Sequence, residues 1–235
     1  MENLVSKAMT TDKNNWRAQR RNQLNLPSYT VAEEIMSAIS HGVGALLAAA
    51  ALVILLVFTP HDAITVVSVS VYGGTLFLLY TVSTLYHALG ISKAKKVFQV
   101  LDHCTVFLLI AGTYTPITLL CLRGVLGWVM FSVVWAAAIV GITLNGVNMK
   151  RFRAVSMICY ICMGWVVLFA IKPLIANLDF AAVLFLFAGG IFYTVGAVIY
   201  GKGRTVKYMH ALWHIFVLAG SILHFLVVYH IAVKP

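Results

Sequence analysis

Hydrophobic residues are grouped into seven long runs along this 235-residue chain, and short polar connections separate the runs. Each run has about the 20 residues that an α-helix, rising 1.5 Å per residue, needs to cross the hydrocarbon core of a bilayer. None of them shows the alternation of polar and apolar residues that is typical of a membrane-spanning β-strand. The pattern therefore predicts an all-α membrane protein, a seven-transmembrane-helix bundle. The predicted spans are 35–58, 63–89, 98–121, 125–145, 154–172, 181–200 and 207–230.

Charged residues lie almost entirely outside those runs, and the basic ones are unevenly distributed. Because 61% of the residues are hydrophobic and 10% are charged, the formal net charge of +10 indicates a membrane surface and not a nucleic acid as the partner. The N-terminal tail and the second, fourth and sixth connections hold 14 of the 17 Lys and Arg residues. Basic connections remain in the cytoplasm, so we expect a cytoplasmic N-terminus and a C-terminus outside the cell.

The chain divides into a basic tail and one membrane domain. Residues 1–33 carry five Lys and Arg residues. We expect them to form a flexible cytoplasmic tail that lies along anionic lipid. Residues 34–235 are expected to form the seven-helix domain, because the connections between runs are too short to hold a second one.

Asp102 is the one acidic residue inside a hydrophobic run. An acid in hydrocarbon costs at least about 2.5–3.5 kcal/mol, so it usually has a partner and a function. In the predicted orientation Asp102 lies near the cytoplasmic start of the third helix, and His87 near the cytoplasmic end of the second. His210 and His214 lie in the first turns of the seventh helix. These residues, distant in sequence, are therefore predicted to meet in one leaflet.

The histidine spacing indicates a metal site. His210 and His214 are four residues apart, which places both imidazoles on one helix face and suits binding of a shared metal ion. A nitrogen from His87 would complete a three-histidine site with one open position, the pattern of catalytic zinc. Zinc lowers the pKa of water in that position to roughly 7. Asp102 could hold this water, take its proton or orient a ligand histidine.

Other polar residues in the same leaflet have several open roles. Glu34, Ser37 and His41 share one face of the first helix through their i, i+3, i+7 spacing. These residues and His103 could support the metal ligands, line a pocket or form interhelical hydrogen bonds. His224 lies toward the other leaflet, and we expect it to hydrogen-bond a neighbouring helix.

Four motifs at these positions together resemble the hemolysin III family, a bacterial branch of the progestin and adiponectin receptor superfamily, which is related to alkaline ceramidases. The first pairs a Glu with a Ser or Asn and a His, the second is S-x-x-x-H, the third begins with the intramembrane Asp and the fourth is H-x-x-x-H. The resemblance extends from residue 33 to about residue 229. The matching segments are 34–41, 83–87, 102–116 and 210–214.

The resemblance implies seven helices with a cytoplasmic N-terminus and zinc bound by His87, His210 and His214. It also implies that Asp102 lies close to the zinc-bound water, and that Ser83 could polarise a substrate carbonyl. It does not imply that His41 is a zinc ligand.

The leading functional hypothesis is a zinc-dependent hydrolase that cleaves a lipid amide or ester, as a ceramidase does, in a bacterial plasma membrane. Membrane lipid would be the substrate or ligand. A second hypothesis is a non-enzymatic regulator or sensor of membrane state in which zinc is structural. A pore-forming cytolysin is disfavoured, because a secreted toxin must be soluble before it inserts. A proton or metal transporter would need polar residues across the full depth of the membrane. The predicted polar residues instead lie mainly in one leaflet.

Overall fold

The structure, a computed structural model, describes residues 15–203 and 205–233, and every regular element in those ranges is helical. A short helix, α1, spans residues 15–23. The other helices are α2 (Val31–Phe58), α3 (Ala63–Ala88), α4 (Lys93–Pro116), α5 (Gly124–Trp165), α6 (Ile171–Asn177), α7 (Phe180–Lys202) and α8 (Met209–Val233). A π-helical segment, Ile117–Leu122, extends α4, and a 3₁₀ segment, Val166–Ala170, joins α5 to α6. Six continuous helical stretches in the described ranges are long and apolar enough to cross a membrane, which agrees with the predicted all-α membrane class. Residues 1–14 of the predicted tail lie outside the described ranges.

Short polar residues in the connections begin most of the long helices. Thr30 and Glu33 form a capping box at α2, in which each side chain accepts a hydrogen bond from the other residue's backbone N–H. The side chains of Asp62, Ser92 and Asp179 each accept from the backbone N–H three residues further on, at the start of α3, α4 and α7. Each such cap satisfies a donor that the helix leaves unpaired and contributes about 1 kcal/mol.

The structure differs from the sequence prediction over residues 146–153, where we expect a connection between the fourth and fifth spans. Instead α5 runs through these residues and departs from helical geometry at Asn148, whose φ is −158° and ψ 81°. The Asn148 side chain accepts a hydrogen bond of 3.1 Å from the backbone N–H of Arg151. This is the geometry of a helix N-cap, so a new helical segment begins at a single residue without a loop.

The long helices form a closed ring in which α4 is the most buried. Helix α2 packs on α3, α3 on α4, α4 on α5 and α7 on α8, and α8 returns to contact α2 and α4. In the most apolar part of the stretch Lys93–Leu122, which is α4 with its π-helical extension, 67% of the residues are buried. This is the largest share among the long helices of the described ranges. The ring brings the starts of α2, α4 and α8 and the end of α3 to one end of the bundle.

Gly141 permits the close approach of α5 to α4. A Cβ at this position would overlap the ring of Phe107, which is fully buried and packs on Tyr160 at a centroid distance of 4.4 Å. We expect Gly141→Ala to destabilise the fold by about 1–3 kcal/mol, because the fully buried Phe107 ring would have to shift to admit the added Cβ. The midpoint of thermal denaturation in detergent measures the effect.

The matched control for this variant is Gly146→Ala on the same helix, where an added Cβ meets no atom within 4 Å. Alanine in a helix interior is favoured over glycine by roughly 0.5–1 kcal/mol, so the control is expected to be neutral or slightly stabilising. Equal denaturation midpoints for the two variants would contradict this account of the α4–α5 contact.

Candidate metal centre

Three buried histidines converge where α3 ends and α8 begins. His87 lies in the last turn of α3, and His210 and His214 lie in the first two turns of α8. The Nε2 atom of His210 is 3.2 Å from Nε2 of His87 and 3.1 Å from Nε2 of His214. Their nitrogen donors all lie within 4.8 Å of one another. The three residues could therefore hold a metal ion.

The donor type and spacing fit zinc. A tetrahedral zinc site with Zn–N bonds of about 2.0–2.1 Å separates its ligand nitrogens by about 3.3 Å. The observed separations of 3.2 Å and 3.1 Å are close to this value. A neutral imidazole nitrogen offers either a proton or a lone pair, and three lone pairs directed at one point are stabilised by a cation. Imidazole is also among the ligands that zinc prefers in proteins.

Glu34 of α2 fixes the orientation of His87. Its Oε2 atom lies 2.7 Å from Nδ1 of His87. Because a carboxylate can only accept, we assign the imidazole proton to Nδ1, which leaves the Nε2 lone pair directed toward the other two histidines. A carboxylate behind a ligand histidine is a common feature of zinc sites, where it sets the tautomer and raises the basicity of the ligand.

Lys95 holds that carboxylate in place from the other side. Its Nζ atom lies 2.9 Å from Oε1 of Glu34 and donates to the backbone oxygens of Tyr86 at 2.9 Å and Leu89 at 3.0 Å. The Lys95 side chain is buried, and its charge lies where the carbonyls at the end of α3 are unpaired, which is favourable for a cation. Helices α2, α3 and α4 are thereby joined directly behind the candidate metal ligands.

We expect Glu34→Gln to weaken zinc binding by about 10–100-fold, because the amide no longer fixes the tautomer or raises the basicity of His87. Competition with a fluorescent zinc chelator measures the dissociation constant. Glu33→Gln is the matched control, since Glu33 contacts the backbone N–H groups of Thr30 and Tyr208 and no histidine. Equal losses of zinc affinity in the two variants would contradict a specific role for Glu34.

The segment that precedes α2 packs directly on the histidines. Tyr29 stacks on His210 with ring centroids 4.4 Å apart and planes 17° apart. Burial raises the pKa of the Tyr29 phenol, so the phenol stays neutral. Glu33 accepts a 2.7 Å hydrogen bond from the backbone N–H of Tyr208, which ties the start of α2 to the turn before α8. The stacking contact makes Tyr29, near the end of the predicted tail, part of the site.

A cavity of about 120 Å³ adjoins His214. Its polar lining includes Ser83, Asp102, His41 and His214, and Asp102 lies beside Ser83. The rest of the lining is mainly apolar or aromatic, with Leu79, Val106, Leu109, Ile110, Trp165, Trp213 and Val217 among its residues. The cavity therefore combines one candidate metal ligand, a carboxyl group and a hydroxyl group with an apolar space, which suits an amphipathic molecule.

The remaining predicted site residues take different positions. His41 packs edge-on against His214, with ring centroids 3.8 Å apart, and lines the cavity. His103 donates from Nδ1 to a backbone oxygen one turn earlier, and its Nε2 accepts from the Tyr200 hydroxyl at 2.9 Å, so it joins α4 to α7. Ser37 is fully buried in α2, and its hydroxyl has no hydrogen-bond partner among the described residues.

Two residues of the site are not among the sequence-predicted ones. Lys95 counts in the sequence as one of several basic residues in a cytoplasmic connection, and Tyr29 as part of the tail. A signal for Lys95 exists, because Glu34 lies at the border of an apolar run, where a nearby cation stabilises an acid, and the connection that follows His87 supplies cations. We find no sequence signal for Tyr29, since its contact depends on how the segment before α2 folds back.

Most of the chain is similar in sequence to known bacterial proteins. The family model described as Haemolysin-III related matches residues 29–225. Hemolysin-3 from Bacillus cereus is 46% identical over 197 residues, which cover 83% of this chain and 90% of that protein. The Hemolysin-3 homolog of Bacillus subtilis (strain 168) is 41% identical over 208 residues, which cover 88% of this chain and 97% of that protein.

A more distant similarity connects the chain to a human protein. Monocyte to macrophage differentiation factor from Homo sapiens is 26% identical over 160 residues, which are 66% of each chain. The range matched by the family model includes the three histidines, Glu34 and Asp102.

Proposed function

This chain belongs to the haemolysin-III related family, and from that premise we propose that it is a zinc-dependent hydrolase of an amide or ester bond in a membrane lipid. The observation that carries the proposal is the convergence of the His87, His210 and His214 nitrogens beside a cavity lined by Asp102. Three nitrogen ligands with an open position, next to a carboxyl group, are the elements of a hydrolytic zinc site.

Each group of residues around the cavity would have a separate role in the reaction. A zinc ion held by the three imidazoles would act as a Lewis acid toward the lipid carbonyl and would make water more acidic. The Asp102 carboxylate accepts the proton of the attacking water and returns it to the leaving amine or alcohol as the amide C–N or ester C–O bond breaks. The Ser83 hydroxyl donates a hydrogen bond to the carbonyl oxygen, where negative charge develops. The apolar walls hold the acyl chain.

Lipid turnover by the reconstituted protein tests this proposal. We expect the purified chain, incubated in nanodiscs of total bacterial lipid, to release free fatty acid that mass spectrometry detects. Removal of zinc with a chelator should abolish the release, and zinc but not magnesium should restore it, because magnesium prefers oxygen ligands. A folded, zinc-loaded chain that releases no product would contradict the proposal.

A second candidate function is a non-enzymatic regulator of membrane state with structural zinc. The specific support is that the three histidines connect α3 to α8, while Glu34 and Lys95 connect α2 and α4 to the same point. A zinc ion there would cross-link helices distant in sequence. This function predicts that chelation lowers the denaturation midpoint while no lipid is hydrolysed.

We propose in addition that the chain crosses the bacterial plasma membrane seven times, with a cytoplasmic N-terminus and an external C-terminus. The stretch Gly124–Asn177 has 54 residues and would be about 80 Å long as one helix, far beyond the roughly 30 Å of a hydrocarbon core. The N-cap at Asn148 divides it into two parts, each long enough to cross. Three basic residues follow this N-cap, as expected for a cytoplasmic junction.

A further inference from the structure

Three cationic side chains lie near the start of α4 and the start of the second part of α5. Lys96 lies in the first turn of α4, and Lys150 and Arg153 lie one turn apart in α5. Arg153 lines a small cavity with His103, whose ring donates to the backbone oxygen of Gln99, one turn after Lys96. The Nζ of Lys96 donates to the Gln99 side-chain oxygen at 2.9 Å, and the Nζ of Lys150 donates to that of Asn25 at 3.4 Å. Both acceptors are neutral amides, so they leave the positive charge of this cationic cluster unbalanced.

No carboxylate forms an ion pair with the cationic cluster within residues 15–203 and 205–233. The ion pairs found there involve other side chains. The Nε atom of Arg153 is buried and has no hydrogen-bond partner among the described groups. A buried donor without an acceptor is unfavourable, and the mutual repulsion of the three charges adds to it. A bound anion would accept a hydrogen bond from Arg153 and would offset the repulsion between the three positive charges.

Arg153 also connects the cationic cluster to the candidate reaction centre. It lines a small cavity of about 30 Å³ together with Asp102 and His210. Asp102 lines the larger apolar cavity as well. An anionic group held by the cluster would therefore place the rest of the same molecule beside the acid and the metal ligands.

We propose that Lys96, Lys150 and Arg153 bind the phosphate of an anionic membrane phospholipid. The planar guanidinium forms paired hydrogen bonds with phosphate oxygens, and the two ammonium groups add charge. The source is a lipid headgroup because the cluster lies at the ends of apolar helices, which in the proposed topology is the level where headgroups meet the cytoplasm. The proposal of phosphate binding depends on the cluster alone. Selection of phosphate-bearing lipids as substrates would be a consequence of this binding, and it rests on the proposed hydrolase function.

Thermal denaturation of the full chain in nanodiscs tests the binding without requiring hydrolysis. The nanodiscs contain phosphatidylcholine in which a tenth of the lipid is either phosphatidic acid or diacylglycerol, which has the same chains without phosphate. We expect phosphatidic acid to raise the denaturation midpoint of the wild type above its value with diacylglycerol. The variant Lys96→Gln/Lys150→Gln/Arg153→Gln should need roughly tenfold more phosphatidic acid for the same shift.

The matched control removes the same charge from exposed positions, as Lys93→Gln/Arg151→Gln/Lys202→Gln, and should respond as the wild type does. If the first triple variant does not fold, Arg153→Lys replaces it, because this change keeps the charge and removes the paired hydrogen bonds. A several-fold weaker response is then expected, and an unchanged one overturns the proposal.

Three results would overturn the proposal. Equal responses of the two triple variants would show only a general attraction of basic residues to anionic lipid. Equal shifts with diacylglycerol and phosphatidic acid would show that phosphate is not recognised. Inorganic phosphate that reproduces the shift in pure phosphatidylcholine would exclude the lipid source. A wild type that responds to phosphatidic acid but hydrolyses nothing would refute the hydrolase and leave this binding site supported.

Discussion

Replacement of Asp102 with asparagine is expected to lower the rate of lipid hydrolysis by about 10²–10⁴-fold, the usual contribution of a general acid–base. Asparagine has nearly the same shape, but its amide cannot accept a proton and return it. Asp102 lines the cavity but is not one of the three nitrogen donors, so the zinc content should remain that of the wild type. Initial rates in nanodiscs and zinc per chain by elemental mass spectrometry check both statements.

Asp62→Asn is the matched control for that variant. Asp62 is exposed, caps α3 and does not line the cavity, and asparagine caps helices as well as aspartate does. We therefore expect wild-type hydrolysis and stability. An Asp102→Asn protein with an unchanged rate would exclude this carboxylate as the proton acceptor. Loss of zinc together with activity would instead assign Asp102 to the support of a metal ligand.

The double variant His210→Ala/His214→Ala is expected to reduce bound zinc from about one ion per chain to none, because His87 alone retains one of the three nitrogen donors. Zinc at a free concentration of about 1,000 times its dissociation constant stabilises a folded protein by roughly 4 kcal/mol. Chelation should therefore lower the denaturation midpoint of the wild type, and it should leave that of the double variant unchanged.

His224→Ala/His230→Ala is the control for this experiment, since it removes two histidines from the same helix outside the three-histidine group. His224 contacts the Leu186 backbone oxygen, and His230 contacts Asp179. This protein should retain one zinc ion and the response to chelation. Zinc that persists in His210→Ala/His214→Ala would place the metal elsewhere and remove the basis for the hydrolase proposal.

The sequence was informative about the candidate metal centre because its main residues lie on short, regular spacings. The i, i+4 pair in α8 needs no tertiary information to share one helix face, and the orientation of the spans predicts which ends meet. The structure brings His87 to that pair, as the sequence analysis expects. The resemblance to the hemolysin III family, based on four short motifs, is confirmed by the family match over most of the chain.

The residues behind the histidines were less predictable. In the sequence Glu34 adjoins the tail and Lys95 belongs to a basic connection, and only the packing of α2 and α4 against α3 joins them to His87. The position of Arg153 was also not predictable from the sequence, where it is one of three basic residues in a connection. In the structure it lines a cavity together with Asp102. The sequence predicts a connection over residues 146–153, whereas in the structure α5 continues through them with an N-cap at Asn148. An N-cap inside a continuous helix has no distinct sequence signal.

The sequence by itself determined the class of this protein, its helical composition and the end of the bundle at which its polar residues collect. Hydrocarbon imposes these features locally, since backbone groups must be satisfied within each helix and charges are excluded from the apolar runs. Only the tertiary structure decided which polar side chains meet, because that depends on the rotation of each helix about its axis. Close contacts such as that of Gly141 with Phe107 set this rotation, and they involve residues whose partners the sequence does not specify.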